Sequence, residues 1–279
     1  MGENCQKPVP TVTKTGNSST PKTRVKPCNG YGLGVFQGRL NSISRAKGYS
    51  ATAAAAYRAG IRIEDDRLGV IQDYTKRSGV ASFEILAPTG SPAWVFDPSR
   101  LWNAAETAET RSNARVAREM EIALPCELTD LQREALARDI GRQLVDRYNS
   151  AVQIAIHTPD KHGDQRNHHA HILFTSRQVG PGGLTDYAAK VFDDFKQGPR
   201  EVLYWRETVA STTNEHLKNA GHNVRVDHRT LDSISKCNTL SAVRVCTCQK
   251  AINTSVRKSA QCSRSRRGAV KVCARFPGF

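Results

Sequence analysis

The stretch Gly163–Phe174, GDQRNHHAHILF, sets three histidines within four positions in front of an apolar run, in a chain that has only eight histidines. Two apolar segments frame it: AVQIAIH (Ala151–His157) upstream, and AHILFTS (Ala170–Ser176), which continues out of it. Each is short and rich in aliphatic side chains, so each reads as a buried strand. A polar loop joins them, which predicts antiparallel pairing in the middle of a sheet. Side chains alternate along a strand, so His169 and His171 leave one face together while His168 leaves the other. His157 ends the neighbouring strand, where it can converge on that pair, and His162 falls in the loop. Three imidazoles so placed form a site for a divalent transition ion with coordination positions left open for substrate. Asp164 and Asn167, just upstream of the pair, are candidates for groups that fix ring orientation from behind. A HExxH helix is absent, so the metalloprotease motif is missing.

Outward from this centre, LGVFQGRLNSISR reads as a first strand and its exit. GYSATAAAAYRAG follows as an alanine-rich helix, with Ser50 as its N-cap and Gly60 as its stop. GVASFEILAP (Gly79–Pro88) reads as a strand closed by proline, and PSRLWNAAETAETRSNARVAREM carries helical composition. REMEIALP reads as a strand whose period of two puts Glu119 and Glu121 on one face. TDLQREALARDIGRQLVDRY has the capping-box pair Thr129 and Gln132, and a core stripe is expected at Leu131, Ala135, Ile140, Leu144 and Tyr148. A long helix is expected from about Gly198 to Ala220, stopping at Gly221. Strands and helices mix without regular βαβ alternation and no repeat is found, so the class is α+β.

The formal charge is +15 and the sequence pI ≈ 9.7, which suits a polyanionic partner. That charge belongs to the ends: residues 233–279 contribute +10 and residues 1–34 contribute +4, leaving about +1 for the middle. Of the eight cysteines, only Cys126 lies between the two ends. The spacing of the others, CTC at Cys246–Cys248 included, does not match a zinc finger. The chain therefore divides into a disordered basic extension (1–34), one domain of about 200 residues (35–232), and a basic Cys/Ser/Arg-rich tail (233–279) that reads as disordered or as out-of-frame translation. No apolar run reaches membrane-spanning length and no signal peptide is visible, so no membrane insertion and a cytoplasmic location are expected.

In order and spacing, SISRAKGYSATAAAAYRAG, REMEIALPCEL, AIHTPD, GDQRNHHAHILFTSR and HLKNAGHNVRVDHRTL resemble the MobA/MobL relaxases that nick plasmid DNA at a transfer origin. The resemblance covers about Val35 to Leu231. It implies the fold of endonucleases with paired histidines: a central, mainly antiparallel five-stranded sheet flanked by helices. It also implies that Tyr57, near the end of the alanine-rich helix, attacks one phosphodiester of a single strand to leave a 5′-phosphotyrosyl link and a free 3′-hydroxyl. Tyr49 and Tyr74 are the reserve nucleophiles. Such an exchange conserves the phosphoester bond and can be reversed. A phenol of ordinary pKa about 10 needs help to lose its proton.

The resemblance carries the metal ligands onto His157, His169 and His171, the three that geometry selects, with Mn²⁺ or Mg²⁺ as the ion. Glu121, or else Glu119, matches an acidic position beside the nucleophile, where it would assist or orient Tyr57. Arg45, Arg58 and Arg177 are candidates for phosphate contacts. Implied partners are single-stranded transfer-origin DNA, relaxosome accessory proteins that melt it, and the coupling protein of a type IV secretion channel. Three features depart from the pattern: the extension before the first strand is additional, His168 stands where the family often has proline, and after VDHRTL the resemblance stops abruptly. A rolling-circle replication initiator or transposase with the same chemistry is the alternative; a basic DNA-binding protein with a structural metal is a non-enzymatic one.

Overall fold

The computed structural model describes residues 33–35, 38–162 and 164–229; the two expected tails lie almost wholly outside them. Strands are β1 (Leu33–Val35), β2 (Gly38–Ser44), β3 (Arg62–Asp65), β4 (Val70–Asp73), β5 (Val80–Leu86), β6 (Arg115–Leu124), β7 (Ser150–His157), β8 (His168–Gly180), β9 (Gly183–Tyr187) and β10 (Arg225–Asp227). Helices are α1 (Ala51–Ala59), α2 (Pro98–Thr107), α3 (Asp130–Tyr148) and α4 (Gly198–Asn219). The main sheet runs β2-β6-β8-β7-β5, every neighbour antiparallel, and β9 adds to the far end of β8. The five-stranded expectation describes this path, with β9 a sixth strand. β1 pairs with β10 in parallel and β3 with β4 as a hairpin.

Alternation divides the sheet into two faces. Met120, Ile122 and Leu124 of β6, Ile154 and Ile156 of β7, and Ala170, Ile172 and Phe174 of β8 pack under α3 and α4. Ala117, Ala151 and Leu173 face the other way, against α1 and α2. α3 comes close enough to the sheet that a Cβ on Gly141 would lie 2.6 Å from Ile154 Cδ1, so glycine fits that crossing. Its capping box is formed by Thr129 and Gln132. The stripe starts one turn later than expected: Leu131 is 78% exposed, and Leu136 and Ala137 take the buried positions with Ile140, Leu144, Val145 and Tyr148. Leu131 sits at the second helical position, before the axis has swung over the sheet.

α1 follows the expected pattern closely. Ser50 Oγ accepts from the Ala53 N–H at 3.1 Å, and Gly60, at φ +65°, closes the helix through its N–H to Ala56 O. Ala51, Ala54, Ala55, Ala56 and Ala59 are buried. α2 is shorter than its composition suggested. It ends at Thr107, and a turn returns the chain into β6 at Arg115, three residues before the expected strand start.

One buried bridge locks α1, α2 and the sheet together. Trp102 Nε1 donates to Gln153 Oε1 at 2.6 Å, and the Gln153 amide donates to Ala55 O at 3.1 Å. Trp102 and Gln153 are almost wholly buried. Trp102→Phe would leave the Gln153 oxygen without its donor, and the expected loss is about 2 kcal/mol of stability. Urea unfolding checks this, with an unchanged m-value and a lower midpoint.

Candidate metal centre

β7 and β8 bring the three histidines together. His157 is paired across the ladder with His169, and Ala155 with His171, so the imidazoles emerge on the α1 side of the two most central strands. Ring centroids lie 5.1 Å (His157–His169), 4.7 Å (His157–His171) and 5.2 Å (His169–His171) apart. One nitrogen of each falls within 4.8 Å of the others. His168 begins β8 on the opposite face, near Asp130 and Arg133.

The partner of each ring assigns its tautomer. His157 Nε2 is 2.7 Å from Arg58 O, and His169 Nδ1 is 3.1 Å from Asn167 O. Carbonyls only accept, so both nitrogens carry the proton. His171 Nδ1 is 2.7 Å from Glu119 Oε1. Burial works against ionisation of Glu119, but hydrogen bonds from His171 and Arg58 outweigh it and hold the carboxyl at about 2. It is therefore an acceptor too, and His171 donates. The ring nitrogens left without a protein partner are Nδ1 of His157 and Nε2 of His169 and His171. Burial is also the main cause that pushes His157 down to about 4 and His169 below its ordinary value, with neighbouring positive charge, Arg77 included, adding to it. Three imidazoles with their second nitrogens held fit a divalent transition ion.

Tyr57 lies on the last turn of α1, one residue before the carbonyl that holds His157. It is the only aromatic of that helix and is 47% exposed. Tyr74 meets its ring edge-on at 5.2 Å between centroids and 88°. The Arg77 guanidinium lies 3.7 Å from the ring centroid, and its NH1 donates to Tyr57 O. Tyr57, Tyr49 and Tyr74 line one cleft of about 1160 Å³ together with Lys47, Arg58 and Glu119.

The two carboxylates of β6 differ. Glu119 is fully engaged by His171 and by the Arg58 guanidinium. Glu121 is half-buried and stands opposite His171 in register, and among the described residues no hydrogen bond or ion pair engages its carboxylate. Asn167 holds His169 through its backbone carbonyl rather than its side chain. Asp164 does not reach the imidazoles: its carboxylate takes the Arg166 guanidinium at 2.9 Å.

The three arginines expected at phosphates are committed to protein acceptors. Arg45 binds Glu106 and the carbonyls of Glu106, Glu109 and Arg111. Arg58 binds Glu119 and Ala54 O. Arg177 binds Glu109 at 2.8 Å and stacks on Tyr187. The acids that fill these guanidinium groups are distant in sequence, so a charge count along the chain did not show them. Arg77 was missed for a related reason: it sits in a polar turn, and only the fold carries it onto the end of α1.

The described residues form an antiparallel-sheet domain in which three histidines that could hold a metal ion lie beside a tyrosine-bearing helix. The model of the MobA/MobL family matches residues 49–240, and the chain belongs to that family. Mobilization protein MobL of Acidithiobacillus ferridurans is 38% identical over 222 residues, covering 71% of this chain and 58% of that protein. The 43 kDa relaxation protein of Salmonella typhimurium is 47% identical over 163 residues, covering 50% of this chain and 42% of that one. The chain thus spans about half the length of these relatives. The solved structure described as "Molecular Basis of Vancomycin Resistance Transfer in Staphylococcus aureus" matches with a TM-score of 0.60 at 28% identity, over 70% of this chain and 99% of that one.

Glu119→Gln keeps the shape of the side chain but weakens its hold on the His171 N–H. Affinity for Mn²⁺, measured by calorimetry, is expected to fall by about 10- to 100-fold.

Proposed function

We propose that this chain carries the strand-nicking domain of a plasmid mobilisation relaxase. The observation that carries the reading is that one nitrogen of each of three imidazoles lies within 4.8 Å of the others, next to the helix that carries an exposed tyrosine. That tyrosine belongs to the helix turn which itself holds one of the imidazoles. Family membership, and relatives named for mobilisation and relaxation, favour a transfer origin over a replication origin.

His157, His169 and His171 would hold the ion, and three nitrogen donors suit Mn²⁺ better than the oxygen-preferring Mg²⁺. When bound, it polarises the non-bridging oxygens of the scissile phosphate. Tyr57 Oη attacks the phosphorus in line with the 3′ oxygen. The Tyr57 O–P bond forms as the P–O3′ bond breaks, giving a 5′-phosphotyrosyl adduct and a 3′-hydroxyl. Glu121 takes the phenolic proton, being the carboxylate of the pair with lone pairs uncommitted, and the departing 3′ oxygen takes a proton from solvent water. Glu119 keeps His171 oriented throughout.

The cleft beside Tyr57 would receive a single strand, held through its backbone and bases, so its affinity should fall with salt. Melted DNA at the site calls for accessory proteins, and export of the adduct calls for the coupling protein of a type IV secretion channel. Among the described residues no helix is long and apolar enough to cross a membrane, which is compatible with action on DNA in the cytoplasm.

A 5′-labelled single strand spanning the host plasmid's transfer origin tests the reading. Wild-type protein with Mn²⁺ is expected to shorten the label and form a protein–DNA adduct, while chelation or Tyr57→Phe removes both. Glu121→Gln is expected to slow nicking by about 100-fold, within the usual worth of a general base. Cutting that survives Tyr57→Phe would transfer the nucleophile to Tyr49, Tyr74 or water.

A further inference from the structure

Tyr57 ends a helix and is nearly half exposed, so α1 alone leaves its ring free to turn about χ1 and χ2. What limits it comes from another part of the chain. Tyr74 N–H donates to Ile61 O at 3.2 Å, and Arg77 N–H donates to Tyr74 O at 2.9 Å, which bolts the turn after β4 to the segment leaving α1. From that turn Arg77 covers one face of the Tyr57 ring and grips the Tyr57 carbonyl, while Tyr74 closes an edge. Among the described residues no carboxylate pairs with Arg77, in contrast to Arg45, Arg58 and Arg177. The arginine is committed to the tyrosine.

We infer that Arg77 is a positioning residue that holds the Tyr57 ring in its attacking orientation, with Tyr74 as the second wall. This deepens the relaxase reading and rests on it for its catalytic meaning. A guanidinium is flat and can stack on the ring while still donating to the carbonyl. A lysine ammonium keeps the charge but cannot do both. A methionine fills the space without either. Correct orientation of a nucleophile acts on the chemical step rather than on substrate binding.

The test uses the full chain with 3-fluorotyrosine incorporated and its Tyr57 resonance assigned by comparison with Tyr57→Phe. In Arg77→Met, the ¹⁹F signal of Tyr57 is expected to move toward the free-tyrosine position and narrow. Arg77→Lys should fall between. On the origin strand, Arg77→Met should lower kcat at least about tenfold with KM little altered, and Arg77→Lys should recover part of the loss. An unchanged ¹⁹F signal in Arg77→Met would overturn the proposal. So would a loss carried by KM alone, which would make Arg77 a strand contact. If the wild type nicks no strand, the relaxase reading fails, while the ¹⁹F comparison still decides whether Arg77 orders Tyr57.

Discussion

Glu119 joins the two halves of the site. One of its carboxylate oxygens takes the His171 N–H and, with the other, the carboxylate takes the Arg58 guanidinium, so a single group on the sheet fixes both an imidazole and helix α1. Taking a carboxylate to 3% exposure is costly. The cost is offset because both oxygens are bonded, one side by a two-pronged arginine. This is the arrangement in which a buried ion pair specifies geometry. Removing either partner would leave charge buried and unmatched, so the ring orientation of His171 and the seat of α1 are linked.

The two faces of the sheet do different work. Under α3 and α4 lies a mainly apolar core that includes a polar knot, where Trp205 Nε1 donates to Tyr148 Oη at 2.6 Å and the Tyr148 hydroxyl in turn donates to Glu201. The α1 and α2 face holds the polar groups instead: Gln153, Glu119, the three histidines, and Glu106 with its arginines. Glu106 alone gathers Arg45, Arg67 and the Ala51 N–H that opens α1. One face anchors the strands and the other is therefore free to be built around positioning contacts.

Much of this was legible from local patterns. The period of two placed His169 and His171 together and His168 away from them, and the Ser50 and Gly60 caps bounded α1 to the residue. What the sequence hid was set by distant partners. Arg45, Arg58 and Arg177 look like any other basic residues until the fold brings Glu106, Glu119 and Glu109 to them. The β3–β4 hairpin escaped notice because RIED and VIQD show little apolar alternation, and its stability comes from its seat beside α1. There Asp65, wholly buried, takes the Thr52 hydroxyl and the Leu68 N–H. The Leu131 expectation failed because spacing gives the phase of a helix but not the point where its axis meets the sheet.

The position of the site at the end of α1 has a physical reason. A helix leaves its last carbonyls without intrahelical donors, and its C-terminal end attracts cations and N–H groups. In α1 two of those carbonyls are Tyr57 O and Arg58 O, and they are taken by Arg77 and His157. The groups that complete the helix are thus the groups that surround the tyrosine and orient a metal-binding ring. Alanine is what permits the arrangement: with alanine at every buried position of α1 except Thr52, the helix lies close enough to β7 for Gln153 and His157 to reach main-chain oxygens directly. A bulkier helix would stand off from the sheet, and the same histidines would then face its side chains instead of its backbone.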